Sequence, residues 1–462
     1  VGAGNEVIGY AVANDSTGNV YVTGDLRNTH RFGPKIQKQG KRQSFFIAKV
    51  DKDGEFKWVA VGHGEDKLSA ISSPLTKITD LTVADAGKSL YAVGYFTNTL
   101  QFGGTTTFKT KSKDYKDLFI AKLQTSDGKV LWIKTFGGVS DDVARAVVAD
   151  SSGNVYVGGT FADSISWRTG LTSSISNHSG KGAAFVLRLT SGGVPVWAKV
   201  INSGTGDVVT ALRVGPKGKI FLLGYAVGGA HPKKLSFQTT SGKITYNSNG
   251  YNFAFIASLE QSGTTYSWVK FLEGGTRALV YADKTLGVDG SGNAYVGVYH
   301  TGGLLETGKT ILSPSSFKGG SSDFSIIKID TSGKNLWLRH VGTAGNELVF
   351  SARFGGKGHL YIAGRFVRTG GATSIPLLTG KPAMNSPNTN NGFVAKVEPK
   401  NGNIIAARMV GSGPDMALYD LSVGVNEEVI AIGTHQVDLQ LGLYKLKSPG
   451  RFELLVWNPT LK

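Results

Sequence analysis

Eight histidines, His30, His63, His178, His231, His300, His340, His359 and His435, are the side chains first considered for metal binding or proton transfer. None lies at metal-ligand spacing from another, so a histidine metal site on one element is not indicated. Asp51-Lys52-Asp53-Gly54 opens like a calcium loop. It lacks the glutamate such a loop needs downstream and reads instead as a hairpin turn. There is no cysteine, which excludes disulfides, thiolate metal sites and cysteine nucleophiles. No nucleophile elbow, phosphate loop or zinc signature stands in a strand-to-helix context. The residues point to no cofactor and to no metal, and a non-enzymatic protein is the expectation.

Two charged sets remain. Arg27, Arg31, Lys35, Lys38, Lys41 and Arg42 form the densest basic cluster, followed by Lys109, Lys111, Lys113 and Lys116 and by the pair Lys233 and Lys234. Such cations dock acidic partners: an anionic polysaccharide, nucleic acid or an acidic protein face. The acids Glu6, Asp142, Asp207, Glu347 and Asp415 follow Gly-, Asn-, Asp- or Pro-containing turns such as Gly4-Asn5 and Gly413-Pro414. Carboxylates so placed either ligate a hard cation or cap backbone N–H groups of their own loops. Their distribution, at most one per repeat, favours capping.

The elements that carry these residues are repeats. Gly18-Asn19-Val20-Tyr21-Val22-Thr23-Gly24 returns around Gly94, Gly159, Gly224, Val298, Gly364 and Gly433, in steps of 70, 65, 65, 74, 66 and 69 residues. Its aromatic slot holds Tyr21, Tyr91, Tyr156, Phe221, Tyr295 and Tyr361, then Ile430. Each copy reads as four strands. An alternating first strand leads through an Asp/Ser/Gly turn, such as Asp150-Ser151-Ser152-Gly153-Asn154, to the glycine-ended second. A long segment precedes the third strand, such as Leu118 to Leu123. A tryptophan marks the fourth, at Trp58, Trp132, Trp197, Trp268 and Trp337, with Ala406 in the sixth copy. Phe452 to Trp457 reads as the fourth strand of the last copy, and His300 and His435 replace Phe at the end of second strands. No amphipathic helix is evident.

Units of four antiparallel strands that bury their faces against neighbours predict a ring. The expected fold is all-β: a seven-bladed β-propeller of four-stranded antiparallel blades, with long loops between strands two and three. It forms one domain over residues 1–462, with blades at about 1–75, 76–140, 141–205, 206–275, 276–342, 343–411 and 412–462. A linear β-solenoid is the alternative.

The long segments 25–44, 95–116, 160–183, 225–252, 299–322 and 365–391 hold 20 Lys+Arg against 4 Asp+Glu. That excess of 16 is nearly the whole formal charge of +17. In a propeller these loops share one face, so a basic face is predicted there. Their aromatics, including Phe32, Phe102 and Phe237, fit the packing of extra hairpins better than base stacking, and nucleic acid is disfavoured. The third-strand bases Lys49, Lys122, Arg188, Lys328 and Lys396 read as a solvated outward position. Asn14 and Asn177 begin glycosylation sequons. No run approaches the ~18 apolar residues of a membrane span. The first residue is Val1 with no leader-like segment, so a processed or internal start is expected.

With the Asp-Ser-Ser-Gly-Asn turn at 150–154, Phe102-Gly103-Gly104-Thr105-Thr106, Leu118-Phe119-Ile120-Ala121-Lys122-Leu123 and Leu131-Trp132-Ile133-Lys134-Thr135-Phe136-Gly137-Gly138, the chain resembles the bacterial-type seven-bladed β-propeller repeat family. The resemblance covers nearly the whole chain and implies an extracellular or cell-surface protein, often a module of a larger one. The seventh copy departs from it, lacking the second-strand aromatic. Gly54-Glu55-Phe56-Lys57-Trp58 is also similar to repeats of pyrroloquinoline-quinone dehydrogenases. Those enzymes carry a vicinal disulfide, which a chain without cysteine cannot form.

The functional expectation is a binding or assembly module docking an acidic glycan or other protein subunits through its basic loop face, as a homo-oligomer or filament in the latter case. The alternative is a polysaccharide-acting enzyme at the channel mouth. It requires Asp207, Glu347 or His300 to come within hydrogen-bond reach of one another.

Overall fold

The protein is described by a computed structural model covering residues 8–457. Outside the description lie 27, 34–35, 41–43, 65–75, 105, 111–113, 166–174, 177–181, 205, 228–233, 248–250, 275–279, 282, 307–308, 314–321, 343–344, 368–373, 376–383, 386–389, 412–415, 436–438, 442–443 and 447–452 within that span. Residues 1–7 and 458–462 also lie outside it.

The tandem pattern becomes a series of antiparallel meanders. The first runs Gly9–Asn14, Val20–Asp25, Ser44–Val50, Phe56–Gly64. The second runs Lys77–Ala84, Ser89–Thr97, Lys116–Gln124, Val130–Phe136. The same order recurs from Asp142–Ala149 to Pro195–Ile201, from Asp207–Val214 to Tyr266–Gly274, and from Asn346–Phe354 to Ile404–Gly411. The innermost strands pack side by side in chain order. Ala417–Val423 returns against Gly9–Asn14 and closes the ring, so the fold is a β-propeller.

The expectation of seven complete blades needs correction, because five have the unbroken four-stranded form. In the fifth repeat the innermost strand is split into Val280–Tyr281 and Leu286–Val288. Between the two pieces Asp283 and Lys284 face the axis. Among the described residues the seventh repeat's blade sheet has three strands, Ala417–Val423, Val429–His435 and Glu453–Trp457, beside a separate hairpin of Leu439–Leu441 and Tyr444–Leu446. Glu453–Trp457 pairs directly with Val429–His435 and therefore takes third place, not the fourth place expected of it. A third and a fourth strand carry the same apolar alternation, so only the pairing separates them. Among the described residues there is no α-helix, only one-turn segments at Asp85–Gly87 and Pro216–Gly218. No helix is long and apolar enough to cross a membrane.

The recurrent residues stitch the ring together. The second-strand tyrosine is buried and its hydroxyl donates to the aspartate that opens the preceding turn. Tyr21 reaches Asp15 at 3.0 Å, Tyr156 reaches Asp150 at 3.1 Å and Tyr295 reaches Asp289 at 2.9 Å. The fourth-strand tryptophan packs beside this ring and crosses to the next repeat. The Trp58 indole donates to the Thr125 carbonyl (3.0 Å), Trp132 to Ser191 (3.3 Å), Trp197 to Gln261 (3.3 Å) and Trp337 to Pro399 (3.0 Å). Each indole lies over the glycine of that turn: a Cβ at Gly128 would stand 2.6 Å from Trp58. Gly128 has φ of +76°, so it also supplies a backbone conformation that other residues adopt at a cost.

The third-strand lysines do similar work, which corrects their reading as a solvated outward row. Lys49 donates to the Thr125 carbonyl and Lys328 to that of Pro399, while Lys396 pairs with Glu427 and Lys122 with Asp85. The long loops add two-stranded hairpins, some of which cover outer edges. Thr99–Phe102 pairs with Phe56–Gly64 of the preceding repeat, and Leu304–Glu306 with Tyr266–Gly274. Capped edges resist pairing with foreign strands. Of the loop aromatics, Phe32, Phe102, Phe237 and Tyr246 are buried in this packing, while Tyr115 is exposed and Trp167 and Phe317 lie outside the described residues.

Trp58→Ala removes both a buried ring and the bond to Thr125, and about 3–5 kcal/mol of stability should be lost in urea unfolding. Trp58→Phe should recover all but about 1 kcal/mol, the share of the hydrogen bond. Leu131→Ala, at an exposed position beside Trp132, should stay within ~0.5 kcal/mol of the parent.

Candidate functional site

The first strands share an irregularity. Their pairing with the second strands slips at one place in each of the six copies whose first strand is continuous: between Gly9 and Ala11, Ile78 and Asp80, Ala144 and Ala146, Val209 and Ala211, Val349 and Ser351, and Leu418 and Asp420. A bulge inserts one residue and re-aims its side chain. The inserted residues are Tyr10, Thr79, Arg145, Thr210, Phe350 and Tyr419. The break at Asp283-Lys284 occupies the same level in the fifth repeat. All but Phe350 line a cavity of about 450 Å³ at the axis, and the Phe350 ring lies 5.7 Å from that of Tyr419. Tyr225 and Tyr299, near the ends of second strands, complete the wall with Lys77. First strands begin and second strands end at this side, so the cavity opens toward the long loops.

Scaffold positions repeat the same residue from copy to copy, whereas the inserted position holds Tyr, Thr, Arg, Thr, Phe and Tyr. Sequence reading passed over these residues because each sits inside an ordinary apolar alternation. The one available signal is the contrast itself: a variable residue at a fixed distance before the turn, preceded by a small or apolar one.

An ion-pair layer floors the cavity. Lys284 Nζ lies 3.0 Å from Asp80 Oδ1 and 3.4 Å from Asp420 Oδ2, and donates to the Tyr10 carbonyl at 3.3 Å. Arg353 holds the other Asp420 oxygen at 2.8 Å, joined by the Ser351 hydroxyl at 2.7 Å. Burial alone would lower the Lys284 pKa, but the Asp420 and Asp80 charges outweigh it and raise it. Asp420 is shifted down against its own burial by Arg353 and Lys284.

Above this floor stand Lys77 and Arg145. The Lys77 ammonium lies 3.2 Å from the centre of the Tyr10 ring, whose hydroxyl donates to Asp25 at 2.7 Å. Burial, with the Arg145 and Lys284 charges, brings the Lys77 pKa down to about 8, against the pull of Asp25 and Asp283. Arg145 is exposed and makes no ion pair among the described residues. Beside Asp283 and the paired Lys284, the cavity thus offers two cations, Lys77 against a tyrosine ring and Arg145, with aromatic and hydroxyl walls: a setting for an anionic group on a ligand with a flat or ring-shaped body.

The expected site residues are distributed differently. Asp142 and Asp207 are buried and cap their own loops. Asp142 accepts from the Gly138 amide at 2.7 Å, and Asp207 accepts from the Ser203 amide and hydroxyl, both at 2.6 Å. Glu347 is also buried, and none of the three lines the cavity. Glu6 and Asp415 lie outside the described residues. Of the basic set, Arg31, Lys109 and Lys234 are exposed on hairpins, Lys38 is half-buried, and Lys116 is paired with Asp141 at 3.0 Å. Arg27, Lys35, Lys41, Arg42, Lys111, Lys113 and Lys233 lie outside the description. Asn14 is half-buried and its side-chain oxygen accepts from Ser422, while Asn177 is outside.

The catalytic alternative required Asp207, Glu347 or His300 to meet, and Asp207 and His300 are held by separate partners. Asp207 is held by Ser203, and His300 is fully buried between the Gly302 carbonyl (2.6 Å) and Ser325 (2.9 Å). Ser325 also faces His340 Nδ1 at 3.3 Å, and His340 Nε2 faces Asp323 at 3.2 Å. Ser–His–Asp are in sequence here, but Ser325 and Asp323 are sealed from solvent. The third strands of other repeats carry Phe46, Phe119, Phe185, Phe255 and Phe393 where Ser325 stands. The cluster fills a core position with polar groups and offers no access to a substrate. Among the described residues no group of His, Asp and Glu could hold a metal ion.

No family model matches the chain. A WD repeat-containing protein of Acanthamoeba polyphaga mimivirus is 23% identical over 159 residues, which is 32% of this chain and 11% of that protein. The chain thus matches only a small part of that relative's length. Among solved structures, a protein of unknown function from Dyadobacter fermentans superposes with a TM-score of 0.41 at 10% identity, over 82% of this chain and 92% of that one. The quinohemoprotein alcohol dehydrogenase ADHIIG of Pseudomonas putida gives 0.40 at 11% identity, over 90% of this chain and 61% of that one. The quinohemoprotein alcohol dehydrogenase of Comamonas testosteroni gives 0.36 at 9%, over 92% and 71%. Likeness at this level decides nothing about chemistry.

Asp142 provides a pH test of its buried role. Burial pushes its carboxyl up to about 9 despite the Gly138 N–H, with the Asp117 charge adding to the rise. The folded state therefore keeps a proton that the unfolded state releases near pH 4, and this contribution to stability is lost as pH rises toward 9. Between about pH 6 and pH 9, Asp142→Asn should lose less stability than the parent in urea unfolding. Equal losses would remove Asp142 from this role.

Proposed function

We propose that this protein is a binding module that seats the acidic sugar of an anionic polysaccharide in the channel cavity, with the basic loop face steering the rest of the polymer. The observation that carries the reading is Arg145, an exposed and unpaired guanidinium aimed into a tyrosine-lined cavity beside Lys77. A guanidinium takes a carboxylate or sulfate through two parallel hydrogen bonds. Tyrosine rings present flat apolar faces with a polar edge, suited to a pyranose. The exposed hairpin cations Arg31, Lys109 and Lys234 extend the attraction outward. A propeller fold suits such a role, since its rigid strands hold one variable side chain per repeat against a common axis. The protein surface would be extracellular or on the cell, where such polymers occur.

The test is calorimetric titration with a short oligogalacturonate at low ionic strength. Arg145→Gln and Lys77→Gln should each weaken binding at least ~10-fold, equivalent to about 1.4 kcal/mol. Replacing Arg31, Lys109 and Lys234 with Ser should spare the oligomer and weaken only the long polymer, most visibly at low salt. Lys77 makes the reaction pH-dependent. A protonated ammonium attracts the carboxylate, so affinity should fall as pH rises through about 8, and Lys77→Gln should abolish that fall. Unchanged affinity in Arg145→Gln would sink the cavity as the seat.

A further inference from the structure

The fourth repeat departs from the pattern that fills one outer corner of the first, second, third, fifth and sixth. In that corner the second-strand tyrosine lies across from a third-strand cation. Tyr21 faces Lys49, Tyr91 faces Lys122, Tyr156 faces Arg188, Tyr295 faces Lys328 and Tyr361 faces Lys396. In four of these repeats the turn before the tyrosine opens on an acid that bonds the phenol or the cation: Asp15, Asp85, Asp150 and Asp289. The fourth repeat has Phe221 for the tyrosine, Ser258 for the cation and Gly215 for the acid. Phenol, cation and carboxylate are lost together. A cavity of about 240 Å³ stands there, on the face opposite the long loops, between Phe221 and Ser258 of this repeat and Gly292 and Thr331 of the next.

The sixth repeat identifies what this cavity lacks. Its turn also opens on a glycine, Gly355, and the acid comes instead from the next repeat. Glu427 lies 2.6 Å from His359 Nδ1 and 3.0 Å from Lys396 Nζ. The matching position in the fifth repeat is Gly292. Both residues have positive φ, +69° and +86°, and both N–H groups bond back into their own turn, to the carbonyls of Gly424 and Asp289. A Cβ on Gly292 would stand 3.3 Å from Thr331 and 3.7 Å from Pro216, two walls of the cavity. The partners of the missing carboxylate have counterparts: Lys219 stands where His359 does, and Ser258 where Lys396 does. Lys219 Nζ already meets Glu260 at 3.1 Å and Ser267 at 2.8 Å, which uses two of its three N–H groups. Ser258 Oγ and Trp268 Nε1 are buried, and neither has a hydrogen-bond partner. The indoles of Trp58, Trp132, Trp197 and Trp337 each have one. Buried donors without an acceptor are rare in native proteins, and two of them mark this corner.

We propose that this corner binds a compact free carboxylic acid, as its carboxylate, in the place that Glu427 fills between the sixth and seventh repeats. The Ser258 hydroxyl and the Lys219 ammonium donate to it, and the exposed Lys217 ammonium adds attraction. Hydrogen bonds to an ionised acceptor are about twice as strong as neutral ones. Phe221 and Pro216 give an apolar wall to the body of the acid. A cation, the group found in this corner elsewhere, is disfavoured because Lys217 and Lys219 both line the cavity and no carboxylate does. The volume is less than the roughly 300 Å³ at which sites for drug-sized ligands begin, so the occupant is a short-chain or single-ring acid. The site shares no residue with the axis cavity and does not depend on its ligand.

The probe is benzoate, titrated into the isotope-labelled chain and followed by NMR at the indole N–H signals. The Trp268 ring lies 6.1 Å from that of Phe221, so its signal reports on this corner and not on the axis; its loss in Trp268→Phe identifies it. Benzoate should shift that signal saturably, and benzamide, which has the same shape and no charge, should bind at least ~10-fold more weakly. Ser258→Ala removes a hydroxyl that bonds nothing in the protein, so the fold tolerates it, and it should weaken benzoate at least ~10-fold, the share of a hydrogen bond to a charged group. Gly292→Glu supplies the carboxylate from within, at a backbone conformation that Glu427 already adopts, and should abolish binding. If that variant fails to fold, Ser258→Ala and benzamide decide. No saturable shift at about 20 mM benzoate, an equal response to benzamide, undiminished affinity in Ser258→Ala, or undiminished affinity in folded Gly292→Glu each overturns the proposal.

Discussion

One ammonium group holds the centre of this molecule. Lys284 leaves the broken innermost strand of the fifth repeat and lies between Asp80 of the second and Asp420 of the seventh, with the Tyr10 carbonyl of the first beside it. Four repeats that are far apart in sequence meet at this point. Burying these charges is costly unless each is paired, so the carboxylates are tied down further: Asp80 by the Val147 amide, Asp420 by Ser351, Arg353 and the Val12 amide. The rest follows from that layer. It floors the channel, requires the strand break at Asp283-Lys284, and sets the level at which the six bulged strands turn a residue toward the axis. Removing one partner of such a network typically costs about 3–5 kcal/mol.

The outer ring obeys a different rule. Its repeating residues (the Tyr of strand two, the Trp of strand four, the turn glycine and the third-strand lysine) all serve contacts within or between repeats. Their uniformity reflects a single packing solution used again and again. Functional variation is left to the axis, to the loops and to the corner where the fourth repeat departs from that solution. The axis holds the bulge residues, and the loops hold the excess positive charge. Lys77 and Arg145 in the cavity, with Arg31, Lys109 and Lys234 exposed on hairpins, are the groups through which the proposed binding would draw an anion toward the axis.

The propeller was legible in the sequence because its signals are local and repeated: alternation, Asp/Gly turns, and aromatics at fixed steps. The irregular parts were not. The position of Glu453–Trp457 depends on a pairing that alternation does not encode, since either a third or a fourth strand buries the same faces. The break at 283–284 looks like any Asp-Lys pair until three other repeats are brought to it. Asp142 and Asp207 stand at the start of first strands and cap their own loops, one of the two roles their position suggested. Their depth of burial was not legible, because it depends on the neighbouring repeat. Arg145, Tyr10 and Tyr419 escaped notice because a bulge is a register event between two strands and leaves no mark on either one alone.

The central claim is that the axis cavity, and not the loop rim, seats the ligand. The most direct measurement is a crystal structure of the chain with an oligogalacturonate bound. The account predicts a carboxylate between Arg145 and Lys77, with sugar rings against the Tyr10 and Tyr419 side of the cavity and the Lys284 ion pairs intact beneath. Density for the sugar confined to the hairpins that carry Arg31, Lys109 and Lys234, with the cavity holding only solvent, would contradict it.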